Sequence, residues 1–151
     1  MDSNAILQAY IDSFRSYSSS DSRPTVTKVL KYSGTPRDIS RRGDIVKESV
    51  FFKMTSASVP YYVEDEKPYE IQQSFQALVF LDQPDSHSYK ESAYDRIMEI
   101  TDVLVDWATD TSAEAVSSQI WTLKLYSISA IIENQGYLST TVTFQSIIKL
   151  Q

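Results

Sequence analysis

A chain of 151 residues, 42% hydrophobic and 23% charged, has the composition of a folded domain. It contains no cysteine and a single histidine, His87, which excludes disulfides, thiolate chemistry and metal sites built from several histidines. Its 14 basic and 20 acidic residues give a net charge of −6, which disfavours direct binding to nucleic acid because phosphates are held by concentrated positive charge.

Neither a membrane segment nor a targeting segment is predicted. No apolar run approaches the ~20 residues that a helix needs to cross a bilayer. Residues 1–4 carry neither a basic segment nor a long apolar stretch, so no signal peptide is indicated. The length is close to the commonest size of one domain, and neither a repeat nor a boundary interrupts it. We therefore expect residues 1–151 to form a single cytoplasmic domain without membrane contact.

The first segment reads as a helix over residues 3–17. Its apolar residues recur at helical spacing: Ile6, Leu7, Tyr10, Ile11 and Phe14. We expect this stripe to pack on the protein's own sheet, and a polar run of serines before Pro24 to end the helix. Alternating apolar residues then predict strands over residues 26–32 and 44–55, joined by a long hairpin loop or excursion over residues 33–43.

Two loops on either side of the second strand carry opposite charge. The interface candidates in them are Arg37, Arg41 and Arg42 in loop 33–43, and Tyr61, Tyr62, Glu64, Asp65, Glu66 and Tyr69 in loop 56–69. Arginine and tyrosine are frequent anchors of protein interfaces, and opposite charges on separate patches allow head-to-tail contacts that close into a ring. We predict intersubunit contacts here. The alternatives are that both loops are solvated, or that they pair within one chain.

A third strand is predicted over residues 70–82. Its odd-numbered residues make one apolar face, and Leu78 with Phe80 makes the other face apolar at the far end, which is typical of a central strand. Ser88 and Glu91 have the spacing of a capping box that opens a helix over residues 89–109. The expected core-facing stripe of this helix is Tyr94, Ile97, Met98, Thr101, Leu104, Val105 and Ala108. The expected solvated face is acidic: Asp95, Glu99, Asp102 and Asp106.

The chain ends in a predicted hairpin. A polar connection over residues 110–118 leads to strands over residues 120–133 and 137–151, joined by a short turn that contains Gly136. The even-numbered residues of the last strand, from Leu138 onward, are expected to face inward, and Ser139 and Thr141 outward. The predicted fold is α+β, with a mostly antiparallel sheet of about five strands, two helices on one of its faces and the order α-β-β-β-α-β-β.

No catalytic, cofactor-binding or metal-binding residues are predicted. His87 stands beside Asp85 and Ser86 in a turn, where local adjacency is poor support for a catalytic triad, so it reads as an exposed turn histidine. The acidic residues 64–66 lack the spacing of a calcium loop, and three glycines are too few for a phosphate-binding loop. We predict that the protein is not an enzyme and works through protein contacts.

Three segments together carry a family resemblance: FQALVFL at residues 75–81, YDRIMEITDVLVDW at 94–107 and GYLSTTVTF at 136–144. In this order the chain resembles the tail terminator (tail completion) proteins of tailed bacteriophages, in particular the lambda-type group. The resemblance implies a virion protein of the neck, assembled in the host cytoplasm into a ring, commonly hexameric. Such a ring contacts the tail tube protein and the head-tail connector, with the sheath protein as a further candidate partner. DNA passes through the ring, and neither catalytic residues nor sequence-specific DNA contacts are implied.

Two alternatives remain open at the level of sequence. Another neck component, such as a head-closure or connector subunit, would have the same features. From a different class, a small-ligand-binding regulatory α+β domain would enclose a pocket between its sheet and helices. A ring of several subunits favours the first class, and a monomer that binds a metabolite favours the second.

Overall fold

A computed structural model of the protein describes residues 3–20, 29–31, 48–58, 70–82, 90–134 and 137–149. Its elements, in chain order, are α1 (Ser3–Ser20), β1 (Val29–Lys31), β2 (Glu48–Ser58), β3 (Glu70–Asp82), α2 (Lys90–Asp110), α3 (Ala113–Val116), β4 (Ile120–Ile128), β5 (Ile132–Asn134) and β6 (Tyr137–Lys149). The predicted α+β class and order of elements are confirmed. The differences are a short third helix in the connection that follows α2, and a sixth strand.

The sheet has the order β1-β2-β3-β6-β4, and β5 also pairs with β6. All described pairs are antiparallel except β1 with β2. The longest ladder joins β3 to β6 without a register shift, from Glu70 opposite Lys149 to Asp82 opposite Tyr137. Of the two predicted connections between these strands, the parallel pair excludes the hairpin, because a hairpin makes neighbouring strands antiparallel, and agrees with the excursion.

The strand predicted over residues 120–133 is divided into β4 and β5. Ser129 lies at the break and bonds to β6 in several ways. Its amide donates to the Thr141 carbonyl at 2.9 Å, its hydroxyl accepts from the Thr141 amide at 2.9 Å, and its carbonyl accepts from the Thr140 hydroxyl at 2.9 Å. A serine side chain here replaces part of the regular strand ladder, which residue alternation alone does not reveal.

Both long helices pack on one face of the sheet, as predicted. Their buried residues join those of the strands in one cluster. Tyr10 stacks on Phe75 with ring centres 4.0 Å apart, and Phe75 stacks on Phe144 at 5.1 Å. The ring of Trp107 meets those of Phe14 and Phe144 edge-on, at 5.7 and 5.5 Å. Aromatic packing therefore joins α1, α2 and the centre of the sheet.

The predicted core stripe of α2 is partly wrong. Met98 is 49% exposed, whereas the fully buried or nearly buried residues include Ile100, Val103 and Trp107, which the prediction left out. Tyr94 and Val105 are only half-buried. The helix packs against α1 as well as the sheet, so its buried face is wider than one stripe and is turned away from Met98.

Strand faces follow the predicted alternation, with one correction. The even-numbered residues of β6 from Leu138 to Ile148 are buried, but so is Ser139, which was predicted to face outward. Ser139 lies on the second face of the sheet, where a small cluster is also buried: Phe51, Leu78, Phe80 and Tyr137. The prediction that β3 is a central strand with two apolar faces at its far end is confirmed.

The end of α1 differs from prediction because its serines support the helix. The Ser19 hydroxyl donates to the Ser16 carbonyl and the Ser20 hydroxyl to the Tyr17 carbonyl, each at 2.9 Å. These bonds satisfy carbonyls that have no amide partner in the last turn of a helix. The helix therefore continues to Ser20 instead of ending near residue 17.

Candidate interaction surface at the sheet edge

The residues predicted from sequence as interface anchors lie outside the described residues. This applies to Arg37, Arg41, Arg42, Tyr61, Tyr62, Glu64, Asp65, Glu66 and Tyr69. It applies equally to Asp85, Ser86 and His87 and to the capping residue Ser88. Contacts through the two charged loops therefore stay a prediction.

The described part of the chain presents a different candidate surface, at the β4 edge of the sheet. β4 pairs with β6 on one side, and no described strand pairs with its other side. Every residue from Lys124 to Ala130 is exposed. Six large hydrophobic residues at this edge are exposed, and we call them the edge strip: Met98, Trp121, Leu125, Tyr126, Ile128 and Ile132. An open apolar edge strand is a typical site for pairing with another chain.

Two irregularities of β4 expose its aromatic residues. The register with β6 shifts between Ile120 and Thr122 and again between Leu125 and Ser127. Trp121 and Tyr126 are the extra residues at these shifts, and they are 60% and 66% exposed. Bulges of this kind redirect side chains at sheet edges. The sequence contained a signal that was missed, since apolar residues stand next to each other at both positions and break the period of two.

The edge strip covers both faces of the sheet at this edge. Ile132 pairs with Ser139, and the Trp121 ring lies 5.1 Å from Lys149 Nζ, so these two residues lie on the second face. Leu125 and Ile128 lie on the helix side. Leu125 pairs with Phe144 and Ile128 with Val142, and both partners belong to the core. Met98 follows Tyr94 by one helical turn, so the two share a flank of α2. The Tyr94 hydroxyl donates to the Glu133 carboxylate in β5 at 3.0 Å, which fixes that flank toward the β4 and β5 edge. The core is thus left uncovered along this edge.

The solvent face of α2 beside the edge strip is acidic. Asp95, Glu99 and Asp102 are exposed at helical spacing, and we call these three residues the acidic stripe. Over its whole length the helix has six acidic and two basic residues. One of the basic residues, Arg96, donates two hydrogen bonds of 2.6 Å to Glu48 in β2.

Arg96 is shared between Glu48 and one residue of the acidic stripe, Glu99. The bonds to Glu48 raise the pKa of Arg96, and partial burial opposes this rise. Arg96 contacts Glu99 at 3.2 Å as well, but its guanidinium is directed mainly toward the sheet. Asp95 and Asp102 have no described basic residue within the distance of an ion pair.

The opposite edge of the sheet, at β1, is basic. Leu30 is 40% exposed and is the one exposed large hydrophobic residue of the described chain that lies away from the edge strip. Lys31 beside it is exposed. Arg15 of α1 donates to the Val29 carbonyl at 2.6 Å and lies 3.8 Å from Asp12. Arg15 thereby occupies one backbone acceptor of this edge strand.

A shallow depression of about 320 Å³ is found between the C-terminal ends of α1 and α2. Its lining consists of hydroxyl-bearing residues and one alanine: Ser13, Ser16, Tyr17, Ser20, Thr111 and Ala115. The Tyr17 hydroxyl donates to Asp110 at 3.1 Å, and the Trp107 indole donates to Ser13 at 3.0 Å. These bonds hold the two helices together, and the lining includes no carboxylate, imidazole or amine that could transfer a proton near neutral pH.

The remaining titratable groups within the described ranges form no reactive arrangement. No three His, Cys, Asp or Glu residues among them are placed to hold a metal ion. Burial raises the pKa of Tyr10 to about 12, and the neighbouring Ser146 hydroxyl offsets part of this rise. Tyr10 is therefore a neutral core residue near neutral pH. None of the described helices is both long and apolar enough to cross a bilayer.

Comparison with known proteins adds no relative. The chain matches no protein-family model and no curated protein. What the structure defines is an α+β domain whose helix-covered sheet leaves one edge apolar and exposed.

Proposed function

We propose that this protein is a structural subunit that assembles with other protein chains, and specifically a tail terminator of a tailed bacteriophage. In this role copies of the chain form a ring, hexameric as the family resemblance implies, which caps the tail tube and docks to the head-tail connector. The observation that carries the proposal is the edge strip, because exposed apolar residues on an open strand edge are stabilised when another protein covers them.

The size of the edge strip is sufficient for an assembly contact. Its exposed parts amount to roughly 500–600 Å², if a whole aromatic side chain contributes ~200 Å² and an aliphatic one somewhat less. Burial of this area is worth roughly 12–15 kcal/mol before costs. Association costs roughly 4–15 kcal/mol in lost freedom of motion. Burial of the strip therefore exceeds this cost over most of its range if a complementary partner covers both faces of the edge. Burial of only half of the strip, roughly 6–8 kcal/mol, exceeds only the lower part of that range.

Two further observations support a neck protein. The order of elements, with β3 followed by an amphipathic helix and a final antiparallel strand, is the order on which the resemblance rests. The net charge of −6 suits a ring that surrounds DNA during its passage, because a negative wall repels phosphate instead of holding it. The tube protein and the connector are the proposed partners, with the sheath protein as a further candidate.

Electron microscopy of the purified protein, alone and co-expressed with the tail tube protein from the same genome, tests the proposal. We expect rings of several subunits, and tubes that end in one additional ring carrying a gold label directed at this chain. The matched control is the tube protein expressed without this chain, which should give tubes of uncontrolled length. Tubes that are neither labelled nor limited in length would refute the proposal.

A further inference from the structure

The exposed large hydrophobic residues of the described chain are not scattered. Six of them form the edge strip, which extends along β4 to β5 and the adjoining flank of α2, and the seventh, Leu30, lies on β1. Strands β1 and β4 are the outermost of the strands that the structure describes. The apolar surface is thus divided between opposite edges of the molecule, one large patch and one single residue.

We propose that the β1 edge of one copy docks on the β4 edge of the next copy. Leu30 contacts the edge strip, while Lys31 and Arg15 face the acidic stripe of the neighbouring α2. This inference rests on the proposed function and specifies the contact through which its subunits join.

Charge complementarity selects a second copy as the occupant of the edge strip. The acidic stripe runs beside Met98 on α2, so any chain that covers the strip comes within a few ångströms of Asp95 and Asp102. The β1 edge brings two cations next to its apolar residue, namely Lys31 and Arg15, and Asp12 lies 3.8 Å from Arg15. Lys31 therefore carries most of the uncompensated charge of this edge among the described residues. Unlike charges across an interface steer association and fix its register.

The two surfaces differ, which determines the kind of assembly. A contact between different patches is heterologous, and repetition of it gives a closed ring when the rotation between copies closes. β1 has three residues, and Arg15 already occupies the Val29 carbonyl. Side-chain contacts, and not a continuous backbone ladder, therefore hold the junction. Blocked edge strands of this kind limit unregulated growth of a sheet from copy to copy.

Charge exchange tests the junction. The variants Lys31→Glu and Asp102→Lys each place like charges across it, and the double variant restores an attractive pair with reversed polarity. Sedimentation velocity at about 0.15 M salt should show self-association weakened about tenfold or more in each single variant and largely recovered in the double variant. Glu114→Lys, the same change of charge at an exposed residue of α3, is the matched control and should associate like the unaltered protein.

A mixing experiment tests the head-to-tail arrangement. When the two single variants are combined, both contacts between unlike copies are attractive: Glu at position 31 meets Lys at position 102, and the unaltered Lys31 meets the unaltered Asp102. We therefore expect the mixture to regain rings of alternating copies that neither variant forms alone. Circular dichroism should show the same melting temperature for all variants, because both altered positions are exposed.

The inference is overturned if the single variants associate like the unaltered protein, if the double variant fails to recover, or if the unaltered protein remains monomeric at every concentration. Failure of the proposed function is recognised separately, by the absence of label and length control at tube ends. Rings that form on tubes and are insensitive to the charge changes would leave the function standing and refute only this junction.

Discussion

Replacement of Tyr10 by Phe is expected to make the protein resistant to mild alkali. Tyr10 is fully buried, and within the described residues neither its hydroxyl nor that of Ser146 makes a hydrogen bond of good geometry. The Ser146 hydroxyl is near enough to lower the pKa of Tyr10 slightly, but it does not replace a full hydrogen bond. The ring packs on Phe75 through its faces, so Phe preserves the packing and removes only the oxygen. A buried hydroxyl without a partner costs roughly 1–3 kcal/mol, so Tyr10→Phe should be as stable as the unaltered protein at neutral pH, or more stable by up to that amount.

The dependence of the free energy of unfolding on pH gives a more precise expectation for the same variant. The pKa of Tyr10 is raised to about 12 in the folded protein, against about 10 in the unfolded chain. Below about pH 10 both states keep the proton and the free energy of unfolding does not depend on this group. Above it the unfolded chain loses the proton first, so stability falls until the folded protein also ionises. At about pH 11 the loss amounts to about 1.4 kcal/mol, and the full loss is about 2–3 kcal/mol.

Urea denaturation followed by circular dichroism at about pH 9 and about pH 11 measures this loss. Other groups titrate in the same range, but their effect cancels when the unaltered protein and Tyr10→Phe are compared. Tyr126→Phe, at an exposed position, is the control and should retain the full pH dependence of the unaltered protein. If the stability of Tyr10→Phe fell with pH as steeply as that of the unaltered protein, the reasoning from burial would be refuted.

The two tryptophans give a matched pair of predictions: Trp107→Ala should destabilise the fold by about 3–5 kcal/mol, because the ring is fully buried among aromatic neighbours. Trp121→Ala, at a position 60% exposed, should change stability by less than about 0.5 kcal/mol in thermal melts, yet it should weaken assembly into rings. If Trp107→Ala and Trp121→Ala lost the same stability, the described core would be contradicted. Glu48→Gln should cost about 1–3 kcal/mol in urea denaturation, since it leaves the partly buried Arg96 without its carboxylate. Glu99→Gln, which alters an exposed partner of the same arginine, should cost less than about 1 kcal/mol, and the reverse order would show that Glu48 is not the dominant partner.

The strands of the sheet could be predicted because the alternation of apolar and polar residues along a strand follows directly from the geometry of the strand. A strand with one buried face must place apolar side chains at every second position, and β3 and β6 both do so. The bounds predicted for β3 agree with the structure, Glu70–Asp82. Two apolar faces at Leu78 and Phe80 also identified a central strand correctly, since only a strand covered on both sides buries both.

The orientation of α2 was less predictable because several stripes fit the same sequence. Apolar residues cover more than half of its circumference, and the partner helix α1 decides which of them are buried. For that reason Met98, predicted to be buried, is exposed, and Trp107, which the predicted stripe did not include, is buried. The parallel pairing of β1 with β2 was missed because alternation indicates a strand but not its direction relative to a neighbour.

The candidate interaction surface was not found from sequence. The prediction concentrated on loops rich in arginine and tyrosine, which lie outside the described residues. The edge strip was overlooked because Trp121 and Tyr126 belong to a strand, and strand residues are expected to be covered. The edge strip is exposed because the strand order places β4 outermost among the described strands, and because α2 does not cover this edge of the sheet. Neither is encoded in a local pattern.

The position of β6 between β3 and β4 also has a consequence for synthesis on the ribosome. Residues paired in the β3–β6 ladder stand roughly 55 to 80 residues apart in the chain. The ladder can therefore form only after the whole segment between its two strands has been synthesised. Until β6 emerges, β3 has only β2 as a described neighbour, and Phe75 and Val79 lack the strand that completes their surroundings. We expect slow folding with an aggregation-prone nascent form, and a gain in recovered protein when translation is slowed by cooling.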